Sequence, residues 1–215
     1  MFQLPAFYPI LDTGVAGRCG LSTIPAAERL LEAGVRILQF RHKGFFAREV
    51  FAEMEQVGRL CRGAGCLFVV NDRADLAVLT GAVLHLGQED PLPSIARRVT
   101  GPDAIIGFST HNEAQLRAAQ PEPADYFALG PVFGTASKEN PDPIVGVAEL
   151  KRLRPLSRAP LVAIGGITRA NALQVLAAGA DSVAVIGDLF EPGVDPRARA
   201  EEWLRLLSTA PARNV

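Results

Sequence analysis

Short, almost continuously apolar runs recur along the chain and predict eight strands. They cover residues 8–12, 37–41, 67–71, 83–86, 105–109, 126–129, 161–164 and 182–186. Because these runs are apolar at successive positions, they are typical of parallel strands covered by helices on the outside. The pattern therefore predicts a parallel sheet whose strands are joined by crossover segments.

Segments with helical periodicity separate the strands. They cover residues 26–33, 47–63, 73–79, 94–99, 113–119, 147–153, 170–178 and 196–208. Eight strand–helix units in 215 residues leave about 27 residues per unit, enough for a closed (β/α)8 TIM barrel. We therefore predict one α/β domain over residues 1–215, with a frayed tail at 209–215. An open doubly wound sheet is the alternative, but it does not require eight regular units.

Charge and composition narrow the function. The chain has 22 basic and 23 acidic residues, so it lacks the excess of positive charge typical of nucleic-acid binding. The apolar runs are far shorter than the roughly 20 residues of a membrane span, and the first residues lack a basic export signal. Three cysteines without C-x-x-C spacing favour reduced thiols. We expect a cytoplasmic protein; the oligomeric state is open, with a homo-oligomer as one option.

In such a barrel the active site lies at the carboxyl ends of the strands. The second strand ends with Gln39, Arg41 and Lys43, which share one face because side chains alternate along a strand. Two cations on an inward face require a counter-ion, and a phosphate or diphosphate ligand provides one. The alternative is that both cations simply extend into solvent.

Carboxylates follow the next two strands. Asn71 and Asp72 end the third strand, and Asp90 lies in the loop after the fourth. Asp72 and Asp90 together are suited to Mg²⁺, which uses one or two carboxylates with substrate phosphates and water. Taken alone, Asp72 also fits the N-cap of the following helix.

Further polar residues follow the fifth strand. Ser109 and His111 do not form a nucleophile–base pair, since no nucleophile elbow surrounds them, and Ser109 is better suited to donate a hydrogen bond. We expect His85 to be a packed or hydrogen-bonded core histidine. The role of His111 is open.

The last three strand ends are suited to phosphate. Thr135, Ser137 and Lys138 lie in a long loop after the sixth strand, where hydroxyl, amide and ammonium groups can surround phosphate oxygens. A mobile surface loop is the alternative. Glycines at 165–166 and 187 follow the seventh and eighth strands, the usual phosphate position of this barrel.

Taken together, these segments resemble the thiamine-phosphate synthase family over essentially the whole chain. The matching blocks are Q-x-R-x-K at 39–43, ND at 71–72, GQED at 87–90, STH at 109–111, T-x-S-K at 135–138 and IGGI at 164–167. The resemblance implies an enzyme that joins a pyrimidine methyl diphosphate to a thiazole phosphate, releasing pyrophosphate with the help of Mg²⁺.

The resemblance also implies roles for individual residues. The pyrimidine diphosphate site would comprise Gln39, Phe40, Arg41, His42, Lys43, Asn71, Ser109 and Lys138. Of these, Arg41, Lys43, Ser109 and Lys138 would be catalytic, and Asp72 and Asp90 would bind Mg²⁺. The thiazole phosphate site would comprise Thr135, Ala136, Ser137, Gly166, Ile186 and Gly187.

Four positions depart from the usual pattern of the family: Ser137 keeps the hydroxyl of the more typical threonine, Gly134 replaces a common proline, and Gly187 and His42 differ as follows. Gly187 stands where serine is typical and loses a hydroxyl donor, whereas His42 replaces a commonly acidic residue and should point away from Arg41 and Lys43. Two other functions are weighed: a thiazole tautomerase of the same family, with His111 as its acid–base residue, and a non-catalytic barrel that binds a phosphorylated metabolite. Neither needs the metal and diphosphate residues.

Overall fold

The computed structural model describes residues 4–135 and 142–209. Its strands, β1 to β8 in chain order, are Phe7–Asp12, Ile37–Arg41, Leu67–Asn71, Val83–Leu86, Ile106–Thr110, Tyr126–Leu129, Leu161–Ile164 and Ser182–Val185. Each strand pairs in parallel with the next, and β8 pairs with β1. The predicted (β/α)8 TIM barrel is confirmed, and the open sheet is excluded by this closure.

Helices surround the barrel. In the described part of the chain, α1 to α9 are Thr13–Arg18, Thr23–Glu32, Arg48–Gly63, Ala74–Thr80, Pro93–Thr100, Glu113–Ala119, Val147–Leu153, Ala172–Ala177 and Pro196–Ser208, with a 3₁₀ turn at Arg154–Leu156. The two ends of the barrel chain meet where the ring of Phe7 in β1 stacks on Trp203 in α9, with ring centroids 5.3 Å apart. None of the described helices is long and apolar enough to cross a membrane.

Helix α1 was not predicted from the sequence. Its segment holds two glycines and is only six residues long, which makes it a weak helix former. The Asp12 carboxylate accepts a hydrogen bond of 2.9 Å from the backbone N–H of Val15 and so caps the first turn. Val15 and Ala16 are buried, and this packing completes the stabilisation of the helix.

Alternation along the strands divides the core into two layers. The larger layer lies between strands and helices and includes Leu11, Leu38 and Phe40. The smaller layer fills the barrel interior with Tyr8, Ile10, Ile37, Val69, Val83, Tyr126, Ala128, Val162 and Ala184. Polar side chains lie above this interior layer, at the carboxyl ends of the strands, and this end of the barrel holds the cavity described next.

Candidate active site

A cavity of about 660 Å³ opens at the carboxyl ends of the strands, and every strand contributes at least one residue to its lining. This size lies within the range of small-molecule sites. The predicted site residues that line it are Gln39, Arg41, Lys43, Asn71, Asp72, Asp90, Ser109, Thr135, Gly166, Ile186 and Gly187. Three further predicted residues, Ala136, Ser137 and Lys138, lie outside the described residues.

The position of Arg41 depends on a carboxylate that the sequence reasoning missed. Arg41 Nη1 donates to Asp12 Oδ2, and only 17% of the Arg41 side chain and 8% of the Asp12 side chain are exposed. The other Asp12 oxygen accepts from Val15, as described above, so Asp12 is fixed from both sides. The signal in the sequence was an aspartate at a strand end beside the Q-x-R-x-K strand.

The side chains of two predicted binding residues, Phe40 and His42, do not face the cavity. Phe40 is 2% exposed and packs between strands and helices, on the face opposite to Gln39 and Arg41. The imidazole of His42 forms a hydrogen bond of 2.8 Å with Thr13 Oγ1. Neither residue is among those that line the cavity, and His42 points away as expected.

Asp72 is not the helix cap that the sequence also allowed. The N-cap of α4 is Arg73, without a side-chain cap bond, while Lys43 Nζ donates to Asp72 Oδ2 over 2.6 Å. Asp72 has a φ of 66°, the only positive value for a described residue other than glycine. Such a backbone is strained and is typical of functional sites. It turns the carboxylate toward Lys43 while the Asp72 N–H bonds to the His85 carbonyl at 2.8 Å.

Asp90 lies close to Asp72. Its Oδ2 accepts a hydrogen bond of 2.7 Å from the Gly87 N–H. Burial, and after it the carboxylate of Asp72, raise the pKa of Asp90 to about 6. Beside them the amide nitrogen of Asn71 is buried without a hydrogen-bond partner in the described structure. The cavity thus holds two neighbouring carboxylates and an unused donor, an arrangement that a bound cation and an anionic ligand would stabilise.

Carboxylates outnumber basic side chains among the described lining residues. They are Asp72, Glu89, Asp90, Asp142 and Asp188, against the two cations Arg41 and Lys43. A bare diphosphate would be repelled, whereas a diphosphate carrying a divalent cation matches this mixture. Within 4–135 and 142–209, no cluster of three or more ligating side chains could hold a metal alone. Two carboxylates with ligand phosphates and water nevertheless suit Mg²⁺.

His85 is buried and lines the cavity, and it is hydrogen-bonded as expected for a core histidine. Its Nε2 lies 2.9 Å from Ser109 Oγ, and its Nδ1 lies 3.0 Å from the hydroxyl of Tyr126. Burial lowers the pKa of His85 to about 4, although the charge of Asp72 acts in the opposite direction. His85 is therefore neutral at neutral pH.

The loops after β6 and β7 lie against each other through their backbones. Val132 N donates to the carbonyl of Ile164 at 2.8 Å, and Phe133 N donates to that of Gly165 at 3.0 Å. Gly166 has a φ of 63°, and a Cβ there would lie 2.4 Å from the Gly134 carbonyl oxygen. Glycine at 166 therefore serves the close approach of the two loops, which brings Thr135 to the cavity.

His111 belongs to the same part of the cavity. Its Nδ1 lies 2.6 Å from the carbonyl oxygen of Gly130, which can only accept, so Nδ1 carries a proton. Its Nε2 lies 3.5 Å from Asp142 Oδ2. The imidazole is thus held from one side, with its second nitrogen beside a carboxylate.

This barrel and its mixed-charge mouth define a class of enzyme that handles phosphorylated small molecules, and comparisons with known proteins specify it. The family model described as thiamine monophosphate synthase matches residues 7–189. A thiamine-phosphate synthase of Koribacter versatilis is 47% identical over 208 residues, covering 95% of this chain and 97% of that protein. One of Chlorobium phaeovibrioides is 41% identical over 186 residues, covering 86% and 88%.

A solved structure gives the same result. The thiamine phosphate pyrophosphorylase from Pyrococcus furiosus superimposes with a TM-score of 0.84 at 29% identity, covering 96% of each chain. The chain belongs to the thiamine monophosphate synthase family, and the thiamine-phosphate synthase expected from its motifs is confirmed. It is accordingly an enzyme, a transferase.

Proposed function

We propose that the protein joins an aminopyrimidine methyl diphosphate to a thiazole phosphate, giving thiamine phosphate and pyrophosphate. The observation that carries this proposal is the cation–carboxylate contact at the mouth, where Lys43 lies 2.6 Å from Asp72, with Asp90 adjacent. A metal diphosphate carries both signs of charge and therefore matches this arrangement. The names of the relatives agree with it.

Mg²⁺ is the cofactor in this proposal. The carboxylates of Asp72 and Asp90 would hold it, because hard oxygen ligands suit this ion and burial of Asp90 beside Asp72 raises the pKa of Asp90 even with Lys43 close by. When bound, the ion supplies neutralisation of the negative charge that develops on the departing diphosphate. A binding measurement with Mg²⁺ and pyrophosphate, by calorimetry on wild type and Asp90→Asn, tests this assignment directly.

The pyrimidine diphosphate side of the site is assigned to the ends of β2, β3 and β5. Arg41 and Lys43 would bind the diphosphate and stabilise it as the C–O bond breaks, with Lys138 joining them from outside the described residues. Gln39, Asn71 and Ser109 would orient the pyrimidine ring. The orphaned amide N–H of Asn71 fits a substrate acceptor, which removes the cost of its burial.

The thiazole phosphate side is assigned to the loops after β6 to β8. The backbone N–H groups around Gly166 and Gly187 and the hydroxyl of Thr135 would bind the phosphate, together with Ala136 and Ser137 outside the described residues. Ile186 would contact the ring. This assignment would bring the thiazole nitrogen to the pyrimidine methylene carbon within one cavity.

The reaction then needs alignment and charge stabilisation more than proton transfer. The C–O bond to diphosphate breaks, the aminopyrimidine stabilises the methylene cation, and the thiazole nitrogen forms the new C–N bond. No side chain has to act as nucleophile. Incubating the protein with both precursors and Mg²⁺ should give thiamine phosphate and pyrophosphate in equal amounts. No product from authentic substrates would overturn the proposal.

One observation favours the alternative hypothesis that the protein is a thiazole tautomerase. His111 lines the cavity with Nδ1 held by Gly130 and Nε2 near Asp142, a geometry compatible with acid–base work. His111→Gln distinguishes the two functions: a synthase should keep most of its condensation rate, whereas a tautomerase should lose solvent-proton exchange into thiazole phosphate.

Phosphorylated small molecules are the partners in this proposal, and a cytoplasmic location stays a prediction. A homo-oligomer also stays a prediction. Exposed apolar side chains on α4 and α5, among them Leu79 at 70% and Val99 at 61% exposure, mark the face at which such contact would be sought. Sedimentation of the wild type at several concentrations gives the oligomeric state.

A further inference from the structure

A chain of hydrogen bonds crosses the barrel at the inner end of the cavity and joins five side chains. Gln39 Nε2 donates to the hydroxyl of Tyr8 at 2.9 Å, and that hydroxyl lies 2.9 Å from the hydroxyl of Tyr126. Tyr126 in turn lies 3.0 Å from His85 Nδ1, and His85 Nε2 lies 2.9 Å from Ser109 Oγ. We call this set the buried polar chain. Its two ends, Gln39 and Ser109, are both assigned to substrate.

The middle of the buried polar chain lies in the interior core. Tyr8 is 1% exposed and Tyr126 is fully buried. Gly107 makes the space for it, because a Cβ at that position would lie 2.0 Å from the Tyr126 ring. Barrel interiors are usually filled by branched apolar residues, and buried hydroxyls carry a cost unless they are hydrogen-bonded. A fully connected network here needs a reason, and the cavity provides one, because Tyr8 and His85 line it together with the two ends, Gln39 and Ser109.

The direction of the hydrogen bonds can be followed from the end of the chain at Gln39. An amide nitrogen can only donate, so the hydroxyl of Tyr8 accepts from Gln39 and passes its own proton to Tyr126. If Tyr126 donated to Tyr8 instead, the Tyr8 proton would have no acceptor among its described neighbours. With Tyr8 as its donor, Tyr126 has its own proton to give to His85 Nδ1, 3.0 Å away, and the neutral imidazole would then carry its proton on Nε2.

This direction determines which groups Gln39 and Ser109, the two ends of the buried polar chain, present to the cavity. In that tautomer His85 Nε2–H would donate to Ser109 Oγ, 2.9 Å away, and the serine proton would be left to point into the cavity. At the other end the Gln39 nitrogen is engaged, so its carbonyl oxygen is the group left for a ligand. The chain thus presents an acceptor from β2 and a donor from β5, and it prevents either side chain from turning.

We propose that Tyr8, Tyr126 and His85 are positioning residues that fix Gln39 as a hydrogen-bond acceptor and Ser109 as a donor toward the pyrimidine substrate. This inference rests on the proposed function for the identity of that substrate. The directionality of the chain itself belongs to the protein and is measurable without any ligand.

The first test is spectroscopic. In wild type labelled with ¹⁵N-histidine, the couplings of His85 should show the tautomer protonated at Nε2 at neutral pH, assigned by comparison with His85→Gln. Tyr126→Phe removes the donor to Nδ1 but retains the ring over Gly107, so Nδ1–H tautomer should become detectable. An Nδ1–H tautomer in the wild type, or an unchanged spectrum in Tyr126→Phe, would overturn the proposed direction.

The second test is kinetic. Tyr126→Phe should raise KM for the pyrimidine diphosphate and lower kcat, so that kcat/KM falls by about fivefold, the scale of one hydrogen bond, with KM for the thiazole phosphate changed by less than about twofold. Thr110→Val is the matched control. Its hydroxyl is equally buried, donates to the Ala128 carbonyl at 2.9 Å, and lies outside the cavity. It should lower the melting temperature and leave both KM values unchanged.

A double-mutant cycle separates positioning from a general structural effect. If the chain acts through its ends, Tyr126→Phe should have an effect of less than about twofold on kcat/KM once Ser109→Ala and Gln39→Ala are both present. Equal effects in both backgrounds would overturn the inference. Should wild type and Thr110→Val make no product, the proposed function fails instead, and the tautomer measurement still decides the direction of the chain.

Discussion

The two halves of the cavity mouth are built in different ways. On the side of β2 to β4, charged side chains are held in pairs, Arg41 by Asp12 and Lys43 by Asp72. On the side of β6 to β8, the backbones of two loops lie against each other, and Gly166 provides the space for this contact. The first half recognises a ligand by side-chain charge, and the second by the shape of its backbone.

The two halves should therefore respond differently to substitutions. Removing a charge of the more exposed pair of the first half, Lys43 and Asp72, should affect catalysis with little change in the fold, because such a pair contributes little to stability. Adding a single methyl group on the second half should displace a loop and its phosphate contacts. The following predictions test this contrast.

The largest effect is expected from Asp72→Asn. Loss of one of two metal carboxylates should lower kcat/KM by about 1,000-fold and raise the Mg²⁺ concentration needed for activity, because metal stabilisation of a leaving group is worth several kcal/mol. Steady-state rates over a Mg²⁺ titration measure it. Asp103→Asn, an exposed aspartate before β5, is the control and should behave as wild type. A wild-type Mg²⁺ profile in Asp72→Asn would remove it from the metal site.

Gly166→Ala tests the second half. Its Cβ would meet the Gly134 carbonyl at 2.4 Å, so we expect KM for the thiazole phosphate to rise about 30-fold, since small misplacements of binding groups are costly. KM for the pyrimidine diphosphate should hardly change. Gly34→Ala is matched, because it has a φ of 93° with nothing within 4 Å of the added Cβ. It should lose stability alone, and an equal rise of KM there would show that strain, not loop contact, is responsible.

Asp12→Asn tests the pairing of Arg41. Asparagine preserves the cap of α1 but removes the charge that holds the guanidinium, so kcat/KM should fall about tenfold, the scale of one charge-assisted hydrogen bond. Asp195→Asn is the matched control, since Asp195 caps α9 and binds Arg29 on the surface. Kinetics should be unaltered there. An identical small loss of stability with no kinetic change in both variants would reduce Asp12 to a helix cap.

The smallest effect concerns stability without metal. The pKa of Asp90 is raised from 3.8 to about 6 in the folded protein, so the folded state binds this proton more tightly than the unfolded state does. The ionised carboxylate therefore costs stability fully above pH 6, and this cost disappears as the pH falls below 4. Asp90 is only partly buried, and after allowing for solvent screening we expect Asp90→Asn to gain about 1 kcal/mol, or about 3 °C in melting temperature, at pH 8.

Thermal unfolding in the presence of a chelator, at pH 8 and at pH 4, measures this gain. It should be present at the higher pH and absent at the lower one. A gain of the same size at both values would mean that packing, and not the charge of Asp90, is responsible.

The two halves also differ in how far the sequence predicts them. Periodicity predicted the barrel, the positions of its strands and most of the charged residues that line the cavity. It did so because the alternation along a buried parallel strand determines which residues face inward. Gln39, Arg41 and Lys43 line the cavity for this reason. The pairing of Arg41 with Asp12 did not follow, since partners on neighbouring strands depend on register, which no local pattern fixes.

Two further features lie beyond local reasoning. Asp72 fitted a helix cap equally well until its φ of 66° showed the carboxylate turned toward Lys43. From the sequence, Gly107 is an ordinary glycine in a strand, and only the position of the Tyr126 ring explains why a glycine is needed there. Both depend on contacts between segments far apart in the chain.

The division of the mouth into two substrate sites is tested most directly by a crossed kinetic measurement. KM for each substrate is determined with the other saturating, in Lys43→Met and in Gly166→Ala. We predict that Lys43→Met raises KM for the pyrimidine diphosphate alone and that Gly166→Ala raises KM for the thiazole phosphate alone. If each variant raised both KM values by the same factor, the mouth would act as one undivided site and the account would be wrong.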